Sequence, residues 1–323
     1  MDLNIFLTSL TQVIITLLFI IPGFILCKWK KESANHLATL SRILVYVCGP
    51  CMIVSSFIGM KEFNWIDFRN MGIFFFVSLA LQALFIFIIF LTIKNKIADA
   101  KYRIFTIGSV MGNVGYFGLP LVSMLVSDPI VSVYSCLYVC SMNIIVFTFG
   151  VYAITLEKKY MSLKEAIINP SVIGLFVALI LYFTGFYRIQ GTNENTIIFG
   201  KALCDAISLL GKITTPLCMI VLGVRLATVN FISLFKRPFV YLTILTKMII
   251  FPAFCYFAVR FIPQLDYSFK ASMLILSATP CAAIVLNLAE MHHKEEELSA
   301  NTVLLTTLVS FITIPLITML LNI

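Results

Sequence analysis

The chain has 323 residues, of which 60% are hydrophobic and only 12% are charged. This composition excludes a water-soluble globular protein, because no soluble domain of this length has so few polar side chains, and it indicates a polytopic membrane protein. The formal net charge of +8 fits basic loops beside an anionic lipid leaflet. A nucleic-acid partner is therefore not expected.

Ten apolar runs predict ten membrane-spanning segments, because a hydrocarbon core of about 30 Å requires roughly 18 to 25 apolar residues of a helix. We number these segments 1 to 10 in chain order. They cover residues 5–26, 37–58, 71–93, 105–126, 131–156, 167–186, 203–226, 239–262, 271–291 and 303–320.

Basic residues are distributed unevenly between the two sets of loops. Loops after odd-numbered segments carry 14 Lys and Arg residues, whereas loops after even-numbered segments carry 6. Because basic loops stay on the cytoplasmic side, both termini are predicted to face outward. The first ten residues, "MDLNIFLTSL", include Asp2 and no basic residue, so segment 1 is predicted to remain in the protein and not to be cleaved as a signal peptide.

Two short strings of similar sequence lie at corresponding places in the two halves of the chain. Segment 2 contains "GPCMIV" at 49–54 and segment 7 contains "TPLCMIV" at 215–221. Since five is an odd number, a second group of five segments enters the membrane from the opposite side, which is typical of an inverted repeat. We predict repeats over 1–156 and 167–323, joined by a short cytoplasmic connector at 157–166. A chance match between apolar strings is the alternative.

Segments 4 and 9 supply a second correspondence, because both are interrupted. Segment 4 contains "SVMGNVGYFGLP" with Gly112, Gly115, Gly118 and Pro120, and segment 9 contains "SATPCAAIVLN" with Pro280 in its interior. Proline removes a helical donor, and unwound backbone at membrane depth needs protein or a water-filled cavity around it. Each break also creates a half-helix N-terminus carrying about half a positive charge, which favours an anion. Alternatively, these residues only bend the helices for packing.

The sequence resembles the auxin efflux carrier family of membrane transporters, which includes plant PIN-type carriers and bacterial organic-acid permeases. The resemblance covers nearly the whole chain. Its most specific strings are "SRILVYVCGPCMIVSSF", "GNVGYFGLPL", "NPSVIGLFVALIL", "TPLCMIVLGVRLA", "TKMIIFPAF" and "LSANTVLLTTLVSFITIPLI".

The resemblance implies an all-α fold of ten helices in two inverted five-helix repeats, with helices 4 and 9 broken where they cross. Segments 1, 2, 6 and 7 would form a scaffold, often dimeric, against which segments 3–5 and 8–10 move as an elevator-type transport unit. The short connector is similar to that of bacterial members, so an inner-membrane protein is expected.

The resemblance also implies substrate-binding residues at the crossing. Asn113 matches the asparagine that contacts the substrate carboxylate in plant members, although Gly112 stands where they have proline. Pro280 and Cys281 match the break in segment 9, where plant carriers place a polar amide. Asn143 matches a polar position in segment 5.

Charged residues inside the segments give further candidates. Lys247 lies well inside segment 8, where a lysine is costly without a partner, and we predict that it pairs with an anion or with a carbonyl at a helix break. Lys212 in segment 7 is expected to anchor at the interface. Mid-span carboxylates are scarce, which disfavours a proton-coupled cation antiporter.

Two tempting motifs have simpler interpretations. "CGPC" at 48–51 resembles a thioredoxin redox centre, but it lies within a spanning segment and not at an exposed helix N-terminus. "MHHKEEE" at 291–297 is interpreted as a polar connector, not a metal site. We expect no catalytic residues, cofactor or metal, and so no enzyme.

The sequence therefore predicts a secondary transporter of small organic anions such as carboxylates, embedded in the lipid bilayer. Two alternatives stay open: a sodium-coupled carrier of the bile-acid type, which shares broken crossing helices, and a non-transporting membrane receptor or redox protein.

Overall fold

The computed structural model describes residues 3–30, 37–60, 63–185, 194–228, 235 and 237–322. These residues form α-helices, short π- and 3-10 helices and the turns between them. Within this part of the chain, the extended pairing is an isolated antiparallel bridge between Gly112 and Cys281. The described fold is all-helical, as predicted.

Nine α-helices make up segments 1 to 5. They are α1 (Leu3–Leu18), α2 (Ile20–Lys30), α3 (Leu37–Ile43), α4 (Gly49–Ile58), α5 (Trp65–Ile93), α6 (Ala100–Gly108), α7 (Leu119–Leu125), α8 (Ile130–Ile145) and α9 (Val151–Thr155).

The connector and segments 6 to 10 contain eight further α-helices in the described part of the chain. They are α10 (Leu163–Ile167), α11 (Pro170–Phe183), α12 (Glu194–Thr228), α13 (Pro238–Leu245), α14 (Phe251–Arg260), α15 (Tyr267–Ser277), α16 (Ala283–Met291) and α17 (Glu296–Thr318).

Eight helices of the described chain are long and apolar enough to cross a membrane. They correspond to segments 1, 2, 3, 5, 6, 7, 8 and 10. Segments 4 and 9 are each divided, segment 4 between α6 and α7 and segment 9 between α15 and α16. These are the two segments that the Gly, Asn and Pro residues mark as interrupted, so the predicted breaks are present.

Three π-helical turns lie directly before a proline, at Pro50, Pro120 and Pro252. In each turn the residue before the proline donates its N–H to the carbonyl five residues back, through the pairs Gly49–Leu44, Leu119–Val114 and Phe251–Thr246. A wider turn is favoured there because proline has no N–H and its ring would collide with the carbonyl four residues back. These prolines therefore widen a turn and bend the segment without ending it.

Glycines bring segments 1 and 7, and segments 2 and 6, into backbone contact. A Cβ added to Gly23 on α2 would lie 2.0 Å from the carbonyl oxygen of Ile220 on α12. A Cβ on Gly174 of α11 would lie 2.9 Å from the Cα of Pro50 on α4. Small residues permit this approach, which is a common way to pack helices in lipid. In a repeat of five segments, segment 1 corresponds to segment 6 and segment 2 corresponds to segment 7. The contact between segments 1 and 7 therefore corresponds to the contact between segments 6 and 2.

Candidate functional site

The two interrupted segments meet where their helices are broken. Gly112 and Cys281 face each other in the antiparallel bridge. The backbone N–H of Asn113 donates to the Pro280 carbonyl at 2.7 Å, and the N–H of Ala282 donates to the segment 4 backbone at 3.0 Å. Each unwound stretch therefore supplies hydrogen-bond partners to the other, which is what backbone at membrane depth requires.

A third helix supports the crossing from behind. The backbone N–H of Cys281 donates to the Thr306 hydroxyl of α17 at 3.0 Å, and that hydroxyl donates to the Thr302 carbonyl at 2.7 Å. Cys281 is only 1% exposed. The break in segment 9 is thus held by segment 10 as well as by segment 4.

Gly112 stands where only glycine fits. A Cβ at this position would lie 2.3 Å from the Thr279 hydroxyl oxygen and 3.0 Å from Lys247 Nζ. Proline, which the resemblance leads one to expect there, also carries a Cβ and would meet the same atoms. A Cβ on Gly118 would lie 2.8 Å from Thr279 Cγ2, so Thr279 occupies the space beside both glycines.

Lys247 is fully buried beside the crossing. Its Nζ donates to the Ser277 carbonyl at 2.7 Å and lies 4.9 Å from the centre of the Phe251 ring. Ser277 is the last residue of α15, so its carbonyl has no partner one turn further along the helix. Of the two roles open to Lys247, this structure shows the hydrogen bond to a carbonyl at a helix break.

A cavity of about 660 Å³ lies on one side of the crossing. We call this side the connector face, because the connector helix α10 lies there, and the opposite side, where segment 1 begins and segment 10 ends, the terminal face. Gly112, Asn113 and Asn143 line the connector-face cavity, together with the exposed side chains of Lys164 and Glu165. Three of the six predicted binding residues therefore share one cavity.

Both helix starts at the breaks border the same cavity. Ala282, Ala283 and Ile284, at the beginning of α16, line it, and Ala282 provides no side-chain cap. The π-turn that begins at Val114 also lacks a side-chain cap. Uncapped N–H groups at a helix start attract negative charge. This wall of the cavity is suited to an anion.

The two asparagines of the cavity have weak partners. The half-buried side chain of Asn113 lies within hydrogen-bonding reach of the Cys218 thiol on α12. The Asn143 amide donates to the Asn169 side-chain oxygen at 3.5 Å, which is the outer limit for such a bond. A ligand carboxylate could therefore replace either partner at small cost.

Of the other predicted residues, Gly115 lines this cavity as well, and the rest lie outside it. Pro280, Cys281 and Lys247 are not among its lining residues; they support the crossing from behind. Gly118 packs against Thr279, and Pro120 lines a different cavity. Direct contact between any of these residues and a substrate stays a prediction.

That second cavity, of about 390 Å³, opens at the terminal face. It is lined by Gln12, Ser55, Pro120 and Lys212, among others. Met52 lines both cavities, and a Cβ on Gly115 would lie 3.3 Å from its methyl group. The two cavities thus approach each other from opposite faces, with Met52 between them.

An ion pair that was not predicted joins segments 7 and 9. Arg225 of α12 donates to Glu290 at 3.1 Å and to the Asn287 side chain at 3.3 Å, both on α16, and Asn287 lines the connector-face cavity. Asn169 was missed too, although its place before Pro170 in "NPS" is typical of a helix N-cap. Its side chain accepts from Ser171 N–H at 2.9 Å.

The two tempting motifs lie apart from this site. Cys48 and Cys51 are free cysteines, and Cys48 is only 2% exposed. His293 is exposed and pairs with Glu296 at 3.0 Å. Within the described ranges, no group of three or more His, Cys, Asp or Glu residues is placed to hold a metal ion.

Comparison with known proteins gives one family. The family described as "Membrane transport protein" matches residues 152–318, a range that includes part of segment 5 and segments 6 to 10. No curated protein matches the chain.

Proposed function

The chain belongs to the membrane transport protein family, which contains the auxin efflux carriers, and we propose that it is a secondary transporter of small organic anions such as carboxylates. The connector-face cavity carries this proposal. It combines the Asn113 amide with two uncapped helix starts at the crossing, and such N–H groups favour a carboxylate.

In the proposed binding mode, the substrate carboxylate accepts hydrogen bonds from the Asn113 side chain and from the first N–H groups of α16. Asn143 contributes its amide after leaving Asn169, and Lys164 attracts the anion at the cavity mouth. Lys247 keeps α15 in place through the Ser277 carbonyl. In this scheme it acts as a positioning residue and does not touch the substrate.

We further propose ten spans in two inverted repeats, at 1–156 and 167–323 with the connector at 157–166. The eight long helices and the two divided segments support the number ten. The repeat is also supported by two close contacts at glycines. The contact between segments 1 and 7 corresponds, under the repeat, to the contact between segments 6 and 2.

The scaffold would consist of segments 1, 2, 6 and 7, and the elevator-type transport unit of segments 3–5 and 8–10. Both cavities are lined by residues of both groups, which is the arrangement that alternating access between them requires. By resemblance to family members we propose a homodimer in a bacterial inner membrane, with both termini outside.

The experiment measures ligand binding by thermal shift and uptake into proteoliposomes. The purified protein is screened against acetate, lactate, benzoate, succinate, malate and citrate, with and without sodium, and uptake is measured with the acid that stabilises most. Replacing Asn113 by alanine removes hydrogen bonds to a charged group, which contribute about 1.5–3 kcal/mol. We expect affinity to fall by about tenfold to a hundredfold.

Asn95→Ala is the matched control, because Asn95 is exposed in a short 3-10 turn and lines neither cavity. It should leave affinity unchanged. If no acid stabilises the wild-type protein or enters the vesicles, the transport of small carboxylates is refuted. If Asn113→Ala and Asn95→Ala bind the acid equally well, the site is refuted while the activity stands.

A further inference from the structure

The terminal-face cavity has a polar wall that the proposed transport site does not use. Lys212 and Gln12 line it from α12 and α1, and Pro120 lines it from the divided segment 4. It lies across Met52 from the connector-face cavity. In the proposed transport cycle, this cavity would be the second mouth of one pathway.

Lys212 lies near the middle of α12. This helix runs from Glu194 to Thr228, so Lys212 is 18 residues from its start and 16 from its end, about 27 Å and 24 Å along the axis. A lysine there is costly unless water or an anion reaches it. The side chain is exposed and borders the cavity, which provides that access.

In this cavity, the Lys212 ammonium group and the Gln12 amide have no acid or hydrogen-bond partner among the residues that the structure describes. No carboxylate is among its lining residues, and no ion pair joins Lys212 to an acid in the described ranges. Gln12 is 8% exposed, and its side-chain amide forms no hydrogen bond to any residue that the structure describes.

The serine hydroxyls of the same cavity have partners already. Ser55 donates to Ser208 at 3.2 Å, and Ser132 pairs with Ser123 at 2.8 Å. The ammonium group of Lys212, the amide of Gln12 and the hydroxyl of Thr215 also line the cavity and have no such partner among the described residues. All three can donate hydrogen bonds, and one is a cation, so the ligand they fit is an anion.

We propose that the terminal-face cavity is a second anion-binding site, in which Lys212 and Gln12 hold a carboxylate of the substrate at the mouth opposite the crossing. This inference rests on the proposed transport of organic anions. The site would receive the substrate on the terminal face before the crossing becomes accessible there, or after release from the crossing. The connector-face cavity differs, because Glu165 accompanies Lys164 among its lining residues.

The test compares entry of substrate from the two faces. Proteoliposomes with one protein orientation are loaded or bathed with the acid that gave the largest thermal shift in the carboxylate panel, and KM is measured for each direction. Lys212→Gln should raise the KM for entry from the terminal face by about tenfold and leave the KM from the connector face within twofold. Lys212→Arg should restore the wild-type value within about threefold.

Lys201→Gln is the control, because Lys201 is an exposed lysine of the same helix and lines neither cavity. Equal KM values for Lys212→Gln and Lys201→Gln, or an equal rise from both faces, would overturn this site while leaving transport intact. Should Lys212→Gln fail to fold, Gln12→Glu places a negative charge in the cavity; an unchanged KM from the terminal face then overturns it. Absence of wild-type uptake from both faces refutes the transport function itself.

Discussion

Replacing Gly112 by alanine tests whether the crossing is packed as described. The added Cβ would lie 2.3 Å from the Thr279 hydroxyl oxygen, more than 1 Å inside ordinary contact. Lys247 Nζ, at 3.0 Å, is tied to the Ser277 carbonyl and cannot withdraw freely. Forced overpacking of this kind costs about 1–3 kcal/mol. We expect Gly112→Ala to lower the free energy of unfolding by that amount.

The contact with Thr279 can be isolated by a double-mutant cycle. Thr279→Ala removes the hydroxyl oxygen that the new Cβ would meet, together with its hydrogen bond to the Leu276 carbonyl at 2.8 Å. The single change should cost about 1 kcal/mol. In the double variant the clash with the hydroxyl oxygen is gone, while the contact with Lys247 remains. Its total cost should therefore be smaller than the sum of the two single costs by about 1 kcal/mol or more.

The measurement is unfolding by denaturant or heat in one detergent, with Gly72→Ala as the control. Gly72 lies within α5, and a Cβ there would have no atom within 4 Å, so its substitution should not destabilise the protein. Strict additivity of Gly112→Ala and Thr279→Ala would refute the packing argument. So would equal effects of Gly112→Ala and Gly72→Ala.

Three other predictions follow from contacts away from the crossing. Gly223→Ala should destabilise the protein by about 1–3 kcal/mol in thermal unfolding, because its Cβ would lie 2.1 Å from the Ile20 carbonyl oxygen; an unchanged midpoint contradicts this. Arg225→Gln cuts the link between α12 and α16 and should increase amide hydrogen exchange in α16, whereas unchanged exchange means that the ion pair contributes nothing. Cys48→Ser combined with Cys51→Ser should leave uptake within twofold of wild type, and loss of uptake would show that this cysteine pair takes part in transport.

The positions of the breaks could be predicted because their cause is local. Proline lacks an N–H and glycine tolerates non-helical torsions, so "MGNVG" and "ATPCA" mark the interruptions in segments 4 and 9. The π-turns before Pro50, Pro120 and Pro252 have an equally local cause, although they were not predicted. Long apolar runs predicted the eight undivided helices for the same reason.

The partners across the crossing could not be predicted, because they depend on how distant segments align. In the sequence, Thr279 precedes Pro280 and indicates only the break in segment 9. In the structure, its side chain limits which residue is tolerated at Gly112 in segment 4. The place of Lys212 likewise depends on where α12 begins, since a helix that starts at Glu194 has this lysine near its middle. These features are determined by how distant segments pack, so no single stretch of sequence predicts them.

The glycine at 112 also changes the chemistry of the site. Gly112 and Cys281 form a non-hydrogen-bonded antiparallel pair, because the flanking residues make the two bridging hydrogen bonds. The N–H and C=O groups of Gly112 therefore point away from segment 9. Gly112 lines the connector-face cavity. Proline has no N–H, so glycine adds a backbone donor there that proline could not supply. Across the crossing, segment 4 packs against Thr279 and donates the Asn113 N–H to the Pro280 carbonyl. In the proposed binding mode, the Gly112 N–H is a further donor for the carboxylate beside Asn113.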